Sequence, residues 1–185
     1  MLKRGFDILS AASVLIVSSP VWLVIAILIK AHDGGPVFYR QIRTGLGGRT
    51  FGILKFRSMV QNADKIGGYS TVDNDSRITP IGRFIRRTSL DELPQLFNVL
   101  RGDMSVVGPR PDVPEQRSLY SAEEFNRRNR VRPGITGLAQ ATMRSTATSE
   151  ERKRLDLEYV DQACLLLDLK ILVLTVRQVL TKGGN

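Results

Sequence analysis

The sequence predicts an α+β protein with an N-terminal re-entrant (helix-break-helix) membrane segment, a small β-hairpin and several amphipathic helices at the membrane interface. Three observations support this class. Residues 8–29 carry no charged side chain, two short strand-like runs flank a glycine-rich turn, and several helix-capping signals follow. The chain of 185 residues shows no repeat, so we expect a membrane segment at 1–32 and one further structural unit at 33–185.

The uncharged run would form a helix of roughly 33 Å, which is long enough to cross a bilayer. Ser19-Pro20 lies near its centre, preceded by Ser18. Proline lacks an amide proton and clashes with the preceding turn, so we expect a break there, with the serine hydroxyls bonding to the freed carbonyls. Basic residues flank both ends, and the positive-inside rule would keep both in the cytoplasm. A re-entrant helix satisfies that rule, whereas the alternative is a plain single-pass anchor that tolerates the proline.

The composition restricts the partners and the chemistry. A formal net charge of +9 indicates an anionic partner, such as a phosphorylated metabolite, an acidic lipid or a nucleic acid. Aromatic residues make up only 6% and do not alternate with basic ones, so a stacking platform for single-stranded nucleic acid is not predicted. One cysteine and one histidine exclude an internal disulfide and argue against a zinc site or a Ser-His-Asp mechanism.

Residues 37–42 and 50–56 are predicted to be the strands of a hairpin joined by the glycine-rich residues 45–48. These glycines could form a phosphate loop, but no helix follows them, so a hairpin turn is favoured. The second strand places Lys55 where it could bind a phosphate. Residues 61–77 are polar and are predicted to be a mobile surface loop that could act as a lid.

The central feature is a pair of adjacent acids, Asp91 and Glu92, in the most basic part of the chain. A capped helix is predicted to start at Thr79-Pro80, and three arginines within residues 83–87 share one face of it. Adjacent carboxylates both stay ionised only near cations, a metal ion or a helix N-terminus. We therefore interpret the pair as catalytic, acting on a phosphorylated substrate, with Arg86 as the nearest cation.

A structural explanation of the two acids is also available. Residues 89–92 match a capping box in which Ser89 is the N-cap and Glu92 bonds back to it. Pro94 argues against that register, because its missing N–H would fall where the helix needs a donor. A start nearer residues 91–93, with an end at Arg101-Gly102, leaves both acids at the mouth of the helix.

A short strand is predicted at residues 104–107, followed by the loop Gly108-Pro109-Arg110-Pro111. Two prolines stiffen the backbone on either side of Arg110, and a preorganised guanidinium suits a phosphate clamp. An ordinary proline-rich turn is the alternative. Residues 131–140 are rich in turn signals but too apolar for a free linker, so we expect them to be packed.

The C-terminal part is predicted to be helical at about 121–130, 150–162 and 165–180. Arginines within residues 127–132 complement a helix dipole and could also face lipid phosphates. The last helix could pack in the core or lie at the membrane interface, with Asp168 away from its apolar stripe. That predicted stripe consists of Leu165, Leu169, Leu172, Val176 and Val179.

Several long motifs occur in the order typical of the bacterial sugar transferases, the monotopic polyprenol phosphate phosphoglycosyl transferases. Beside Ser19-Pro20, these motifs are residues 55–59, 89–100, 102–105, 108–111 and 131–140. The chain resembles the minimal catalytic form of this family over almost its whole length. The resemblance implies transfer of a sugar 1-phosphate from a UDP-sugar to polyprenol phosphate, with release of UMP, as the first membrane step of glycoconjugate biosynthesis.

The resemblance also implies roles for individual residues. Asp91 would be the nucleophile that forms a covalent phosphosugar intermediate, and Glu92 would hold Mg²⁺ together with Asp91. Lys55, Arg86 and Arg110 are then the expected phosphate-binding cations. The family has a re-entrant helix and lies in the bacterial inner membrane, so residues 33–185 would be a cytoplasmic catalytic domain in contact with the lipid bilayer, with no nucleic acid partner.

Two other classes of function compete with this one. A non-enzymatic, membrane-anchored basic module that binds anionic lipid or nucleic acid would explain the charge and the apolar segment, but not the two acids. A glycosyltransferase that moves the sugar without its phosphate would release UDP instead of UMP.

Overall fold

The computed structural model describes residues 2–67, 75–143 and 147–182. These residues form eight α-helices, two two-stranded sheets and short 3₁₀ turns. The helices are α1 (Leu2–Asp33), α2 (Ala63–Ile66), α3 (Pro80–Arg87), α4 (Gln95–Arg101), α5 (Ala122–Arg128), α6 (Leu138–Met143), α7 (Ser149–Gln162) and α8 (Leu165–Lys182). The strands are β1 (Phe38–Thr44), β2 (Thr50–Phe56), β3 (Ser105–Val107) and β4 (Gly134–Thr136).

The first sheet is the predicted hairpin. β1 pairs antiparallel with β2, with Tyr39 opposite Lys55 and Thr44 opposite Thr50. The connection is a 3₁₀ turn in which Gly47 and Gly48 have φ of 64° and 75°, a region that glycine enters without strain. The hairpin interpretation of the glycine-rich stretch is therefore confirmed. Of the predicted 61–77 loop, residues 68–74 lie outside the described residues.

The second sheet joins two distant segments. β3 pairs parallel with β4, with Ser105 opposite Gly134 and Val107 opposite Thr136. A Cβ on Gly134 would lie only 2.1 Å from the amide nitrogen of Gly108, so this close approach requires glycine. The strand predicted at 104–107 and the packed stretch at 131–140 are both confirmed, and the pairing between them is new.

The apolar helix α1 runs without interruption from Leu2 to Asp33, with Pro20 inside it. Within the described part of the chain, it is the one helix long and apolar enough to cross a membrane. The hydroxyl of Ser19 donates to the carbonyl oxygen of Ile16 over 2.8 Å. That carbonyl stands four residues before Pro20, so it is the one that the missing proline N–H leaves without a donor. The predicted role of the serine is confirmed, whereas the re-entrant break remains a prediction.

The N-terminal end of α1 is fixed to β3 and α8. The carboxylate of Asp7 accepts a hydrogen bond from the hydroxyl of Ser105 (2.9 Å) and one from the amide of Val106 (3.0 Å). Lys3 forms an ion pair with the buried Asp168. A buried charge without a partner would be expensive, so these contacts hold the start of the helix firmly against the rest of the protein.

The C-terminal end of α1 packs against the same body. Ile25 and Ile29 form a buried cluster with Phe56 of β2 and Ile85 of α3. The ring of Trp22 lies edge-on to that of Phe56, with centroids 5.0 Å apart. Both ends of the apolar helix therefore contact residues of the 33–185 unit.

The orientation of α8 differs from the prediction. Ile171 and Asp168 are fully buried, whereas Leu169 and Val176 of the predicted stripe are exposed. The reason is that Asp168 pairs with Lys3 and accepts a hydrogen bond from the hydroxyl of Tyr159 (2.7 Å), which allows the charged face to turn inward. An apolar face remains exposed on the other side of the helix. Its residues are Leu166, Leu169, Val173 and Val176.

Candidate active site

A 3₁₀ turn at Leu90–Glu92 carries the two predicted catalytic acids between α3 and α4. α3 begins as predicted, because the hydroxyl of Thr79 accepts a hydrogen bond from the amide of Gly82 over 2.9 Å. Ser89 has a left-handed backbone (φ 56°) and its side chain makes no capping bond. The simple capping box is therefore absent at Ser89, and α4 begins at Gln95 after Pro94, slightly later than predicted.

The turn rests on the C-terminal half of α1. Leu90 and Leu93, on either side of the acids, pack against the cluster that contains Ile25, Ile29 and Phe56. The burial of these leucines fixes the turn on the apolar helix. The acid pair is therefore held directly beside the segment that could enter a membrane.

Glu92 is bound by two of the predicted phosphate-binding cations. Its Oε1 accepts a hydrogen bond from Lys55 Nζ on β2 (2.7 Å) and one from Arg110 Nη2 in the proline-flanked loop (2.9 Å). Burial would raise the pKa of Glu92, but the charges of Arg110 and Lys55 outweigh it and hold the pKa below its usual range. Glu92 is therefore ionised, and it brings both cations to the acid pair.

Asp91 has the opposite electrostatic character. It is only 7% exposed, and burial raises its pKa to about 6. The positive charge of Lys55 opposes the rise, the negative charge of Glu92 adds to it, and Arg86 and Arg110 again oppose it. A carboxylate with this pKa is mostly ionised at neutral pH and poorly solvated, which suits a nucleophile.

Arg43 on β1 lies beside the site and was not among the residues predicted for it. Its Nη1 donates to the carbonyl oxygen of Pro111 over 3.0 Å, and its Nη2 donates to Oε1 of Gln41 over 2.6 Å. The sequence could have indicated it, because Tyr39 lies opposite Lys55 in the hairpin and side chains alternate along a strand, which puts Arg43 on the same face as Lys55. A small crevice beside the acids is lined by Arg43, Lys55, Gln95, Arg110 and Pro111.

One arginine at the basic end of α5 does not fit the prediction that this end could face lipid phosphates. Arg128 is 3% exposed and forms ion pairs with Asp112 and Asp156, so it cannot face lipid phosphates. Arg127 does lie at the surface, where it pairs with Asp161. The arginine pattern alone could not separate the buried residue from the exposed one, because both complement the helix dipole equally well.

The acid pair fits a magnesium ion only with help from a substrate. Among the described residues, no group of three or more His, Cys, Asp or Glu side chains is placed to hold a metal. Asp91 and Glu92 supply adjacent carboxylate oxygens, which are the hard ligands that Mg²⁺ prefers. Because Mg²⁺ usually takes one or two carboxylates and completes its shell with water and phosphate oxygens, the pair suits an ion that arrives with a phosphorylated substrate.

A long apolar helix, an acid pair beside the half-buried cations Lys55 and Arg110, and the proline-flanked loop that carries Arg110 together form a site that suits an anionic substrate. The sequence matches the bacterial sugar transferase family over residues 1–182, and the chain belongs to that family.

Relatives in that family have similar sequences. EpsL of Bacillus subtilis, an uncharacterized sugar transferase, is 45% identical over 184 residues, which cover all of this chain and 90% of the relative. The UDP-N-acetylgalactosamine-undecaprenyl-phosphate N-acetylgalactosaminephosphotransferase of Aeromonas hydrophila is 42% identical, over 99% of this chain and 44% of the relative. The UDP-glucose:undecaprenyl-phosphate glucose-1-phosphate transferase of Escherichia coli is 44% identical, over 95% of this chain and 39% of the relative. This chain thus spans most of the first relative and less than half of the other two.

Proposed function

We propose that the protein transfers a sugar 1-phosphate from a UDP-sugar to polyprenol phosphate and releases UMP. The names of the Aeromonas and Escherichia relatives support both substrate classes. The observation that carries the proposal is the environment of Asp91, a buried carboxylate with a pKa of about 6 among Lys55, Arg86 and Arg110. Such a group can attack a phosphoryl centre whose negative charge the surrounding cations offset.

The reaction takes place in two displacements at the same phosphorus atom. The Asp91 carboxylate attacks the phosphorus that carries the sugar, the bond to the bridging oxygen breaks, and UMP leaves with the electron pair. A phosphate oxygen of polyprenol phosphate then attacks that phosphorus and displaces the carboxylate. The products are a polyprenol diphosphate sugar and a regenerated, ionised Asp91.

The cations around the acids neutralise the diphosphate of the donor. Lys55 and Arg110 are bound to Glu92 and lie in the crevice beside Asp91. Their position allows each to share its charge between Glu92 and an incoming phosphate. Arg86 stands at the end of α3 and favours the ionised form of Asp91. Mg²⁺, held by Asp91 and Glu92, would supply further charge neutralisation to the phosphate oxygens.

The contacts of α1 support a re-entrant membrane helix. Lys3 at one end pairs with Asp168, and Asp33 at the other end pairs with Arg57. Both partners belong to the 33–185 unit, whereas a straight span would place the two ends of the helix on opposite faces of a bilayer core roughly 30 Å thick, where one unit could not bind both. We place the helix in one leaflet of the bacterial inner membrane and the catalytic unit on the cytoplasmic face, where a lipid-borne acceptor phosphate can reach the turn at Asp91.

The test is the product released from nucleotide sugars. Purified protein is incubated with polyprenol phosphate, Mg²⁺ and a panel of UDP-sugars, and the nucleotide products are separated. UMP release that requires the polyprenol phosphate for repeated turnover supports the proposal. UDP release would indicate transfer of the sugar without its phosphate, and no nucleotide release from any donor would favour a basic membrane-binding module.

A further inference from the structure

The backbone around Arg110 is held by hydrogen bonds to four successive carbonyl groups, those of residues 109–112. Nη2 of Arg128 donates to the carbonyl oxygen of Arg110 itself over 2.6 Å. The donors to the carbonyls of Pro109, Pro111 and Asp112 are the amide of Gly134 (2.9 Å), Nη1 of Arg43 (3.0 Å) and the amide of Thr44 (2.9 Å). The loop is therefore restrained by more than the two prolines that flank Arg110.

Among these four donors, Arg128 is the buried charged side chain, and it bonds to the carbonyl of Arg110 itself. Its Nε and Nη2 donate to Oδ2 of Asp156 over 3.0 and 2.8 Å, and its Nη1 lies 3.0 Å from Oδ2 of Asp112. That same Asp112 oxygen accepts a hydrogen bond from the hydroxyl of Tyr120 over 2.8 Å. Arg128 and Asp156 are 3% and 1% exposed, so their ion pair is shielded from water.

This network connects two helices to one loop. Arg128 lies at the end of α5 and Asp156 lies within α7, whereas Asp112 belongs to the loop itself. Two carboxylates already balance the charge of Arg128, so it does not need an anionic ligand. A guanidinium has five donors in a fixed plane and can bridge two carboxylates and a carbonyl at once, whereas a lysine ammonium has no such geometry.

We propose that Arg128, oriented by Asp112 and Asp156, is a positioning residue that sets the placement of Arg110 against the diphosphate of the donor. This inference rests on the proposed function, because it takes Arg110 to bind the donor phosphates. Arg128 acts through the backbone of Arg110 and does not touch the substrate. Its effect on catalysis therefore depends on the presence of the Arg110 guanidinium.

A double-mutant cycle tests this dependence. Arg128→Lys keeps the charge but loses the bridging geometry, and we expect kcat/KM for the UDP-sugar to fall by about tenfold or more, in single-turnover UMP release. In an Arg110→Gln background, the same change should have an effect of less than about twofold. Arg127→Lys on the same helix is the matched control, because Arg127 pairs with Asp161 at the surface, and it should leave kcat/KM unchanged within about twofold.

An additive cycle, in which Arg128→Lys loses the full tenfold even without the Arg110 guanidinium, would overturn the positioning role. If the rates fall below detection, the same double-mutant cycle is measured with the dissociation constant of the UDP-sugar in place of kcat/KM. If Arg128→Lys is misfolded, as shown by the loss of a cooperative unfolding transition, Asp156→Asn is used in its place. Asparagine keeps the shape of aspartate and one acceptor for Arg128. A wild-type protein that neither releases UMP nor binds the donor would overturn the proposed function as well, whereas normal turnover with additive effects would overturn this inference alone.

Discussion

The ammonium group of Lys55 donates a hydrogen bond to Oε1 of Glu92 over 2.7 Å, and Arg110 donates to the same oxygen. One carboxylate thus organises two cations that the sequence places 55 residues apart, on a strand and in a loop. Glu92 is consequently both a metal-ligand candidate and the partner that orients the phosphate-binding groups.

Replacement of Glu92 by glutamine removes this organising charge. We expect Glu92→Gln to lower kcat by about a hundredfold or more and to raise the Mg²⁺ concentration needed for half-maximal rate. A Mg²⁺ titration of UMP release measures both effects. Glu123→Gln, at an exposed acid on α5, is the control and should change neither. An unchanged Mg²⁺ titration in Glu92→Gln would remove Glu92 from the metal site.

The pH dependence of the rate reports the ionisation of Asp91. Its pKa is about 6, so kcat/KM should fall tenfold per pH unit below about pH 6. The negative charge of Glu92 is one of the causes that raise this pKa. In Glu92→Gln the acidic limb should therefore move to lower pH, whatever happens to the maximal rate. A limb that does not move, or that moves to higher pH, would contradict the electrostatic account of the pair.

Asp91→Asn should make the protein more stable at high pH. The folded-state pKa of Asp91 is raised, so the folded state favours the protonated form, and that stabilising contribution is lost as the pH rises from about 4 through about 6. At pH 8 the variant avoids the buried charge and should gain up to roughly 3 kcal/mol, because each pKa unit corresponds to about 1.4 kcal/mol. Thermal melting in detergent at pH 8 and pH 4 measures the difference.

The control for this measurement is Asp161→Asn, which replaces a surface carboxylate that is paired with Arg127. It should not be stabilised at pH 8, because removal of an exposed ion-pair partner is neutral or slightly unfavourable. A melting temperature of Asp91→Asn that equals or falls below that of the wild type at pH 8 would contradict the assignment of Asp91 as a strained, buried carboxylate.

The topology of α1 can be tested with thiol reagents. The single cysteine, Cys164, is exposed and marks the side of the membrane on which the catalytic unit lies. In a Cys164→Ser background, Leu2→Cys and His32→Cys place single thiols at exposed positions near the two ends of α1. A membrane-impermeant reagent should label both from the side that labels Cys164 in the wild type. Labelling of the two ends from opposite sides would show a complete span.

Local sequence signals predicted much of the architecture. The hairpin followed from two strand-like runs around glycines, and Thr79 was identified as a cap from the proline that follows it. The hydroxyl of Ser19 bonds to the carbonyl freed by Pro20, as the chemistry of proline requires. Each of these features depends on residues that are close together in the chain.

The features that escaped prediction depend on distant contacts. β3 and β4 are short, parallel and separated by 26 intervening residues, so no periodicity marks their pairing. Asp168 is buried because Lys3, at the opposite end of the chain, neutralises it. The role of Arg128 likewise requires Asp156 and the Arg110 carbonyl, and the surrounding sequence indicates only a basic helix end.

The proposed mechanism requires that Asp91 takes the sugar phosphate from the donor before the acceptor binds. The most direct test mixes a stoichiometric amount of protein with a UDP-sugar and Mg²⁺ in the absence of polyprenol phosphate and measures UMP. The wild type should release a burst that approaches one UMP per active site, together with a protein mass increase equal to one sugar phosphate, and Asp91→Asn should show neither although it remains bound to the membrane. A full burst from Asp91→Asn, or UMP release by the wild type only when the acceptor is present, would contradict the account.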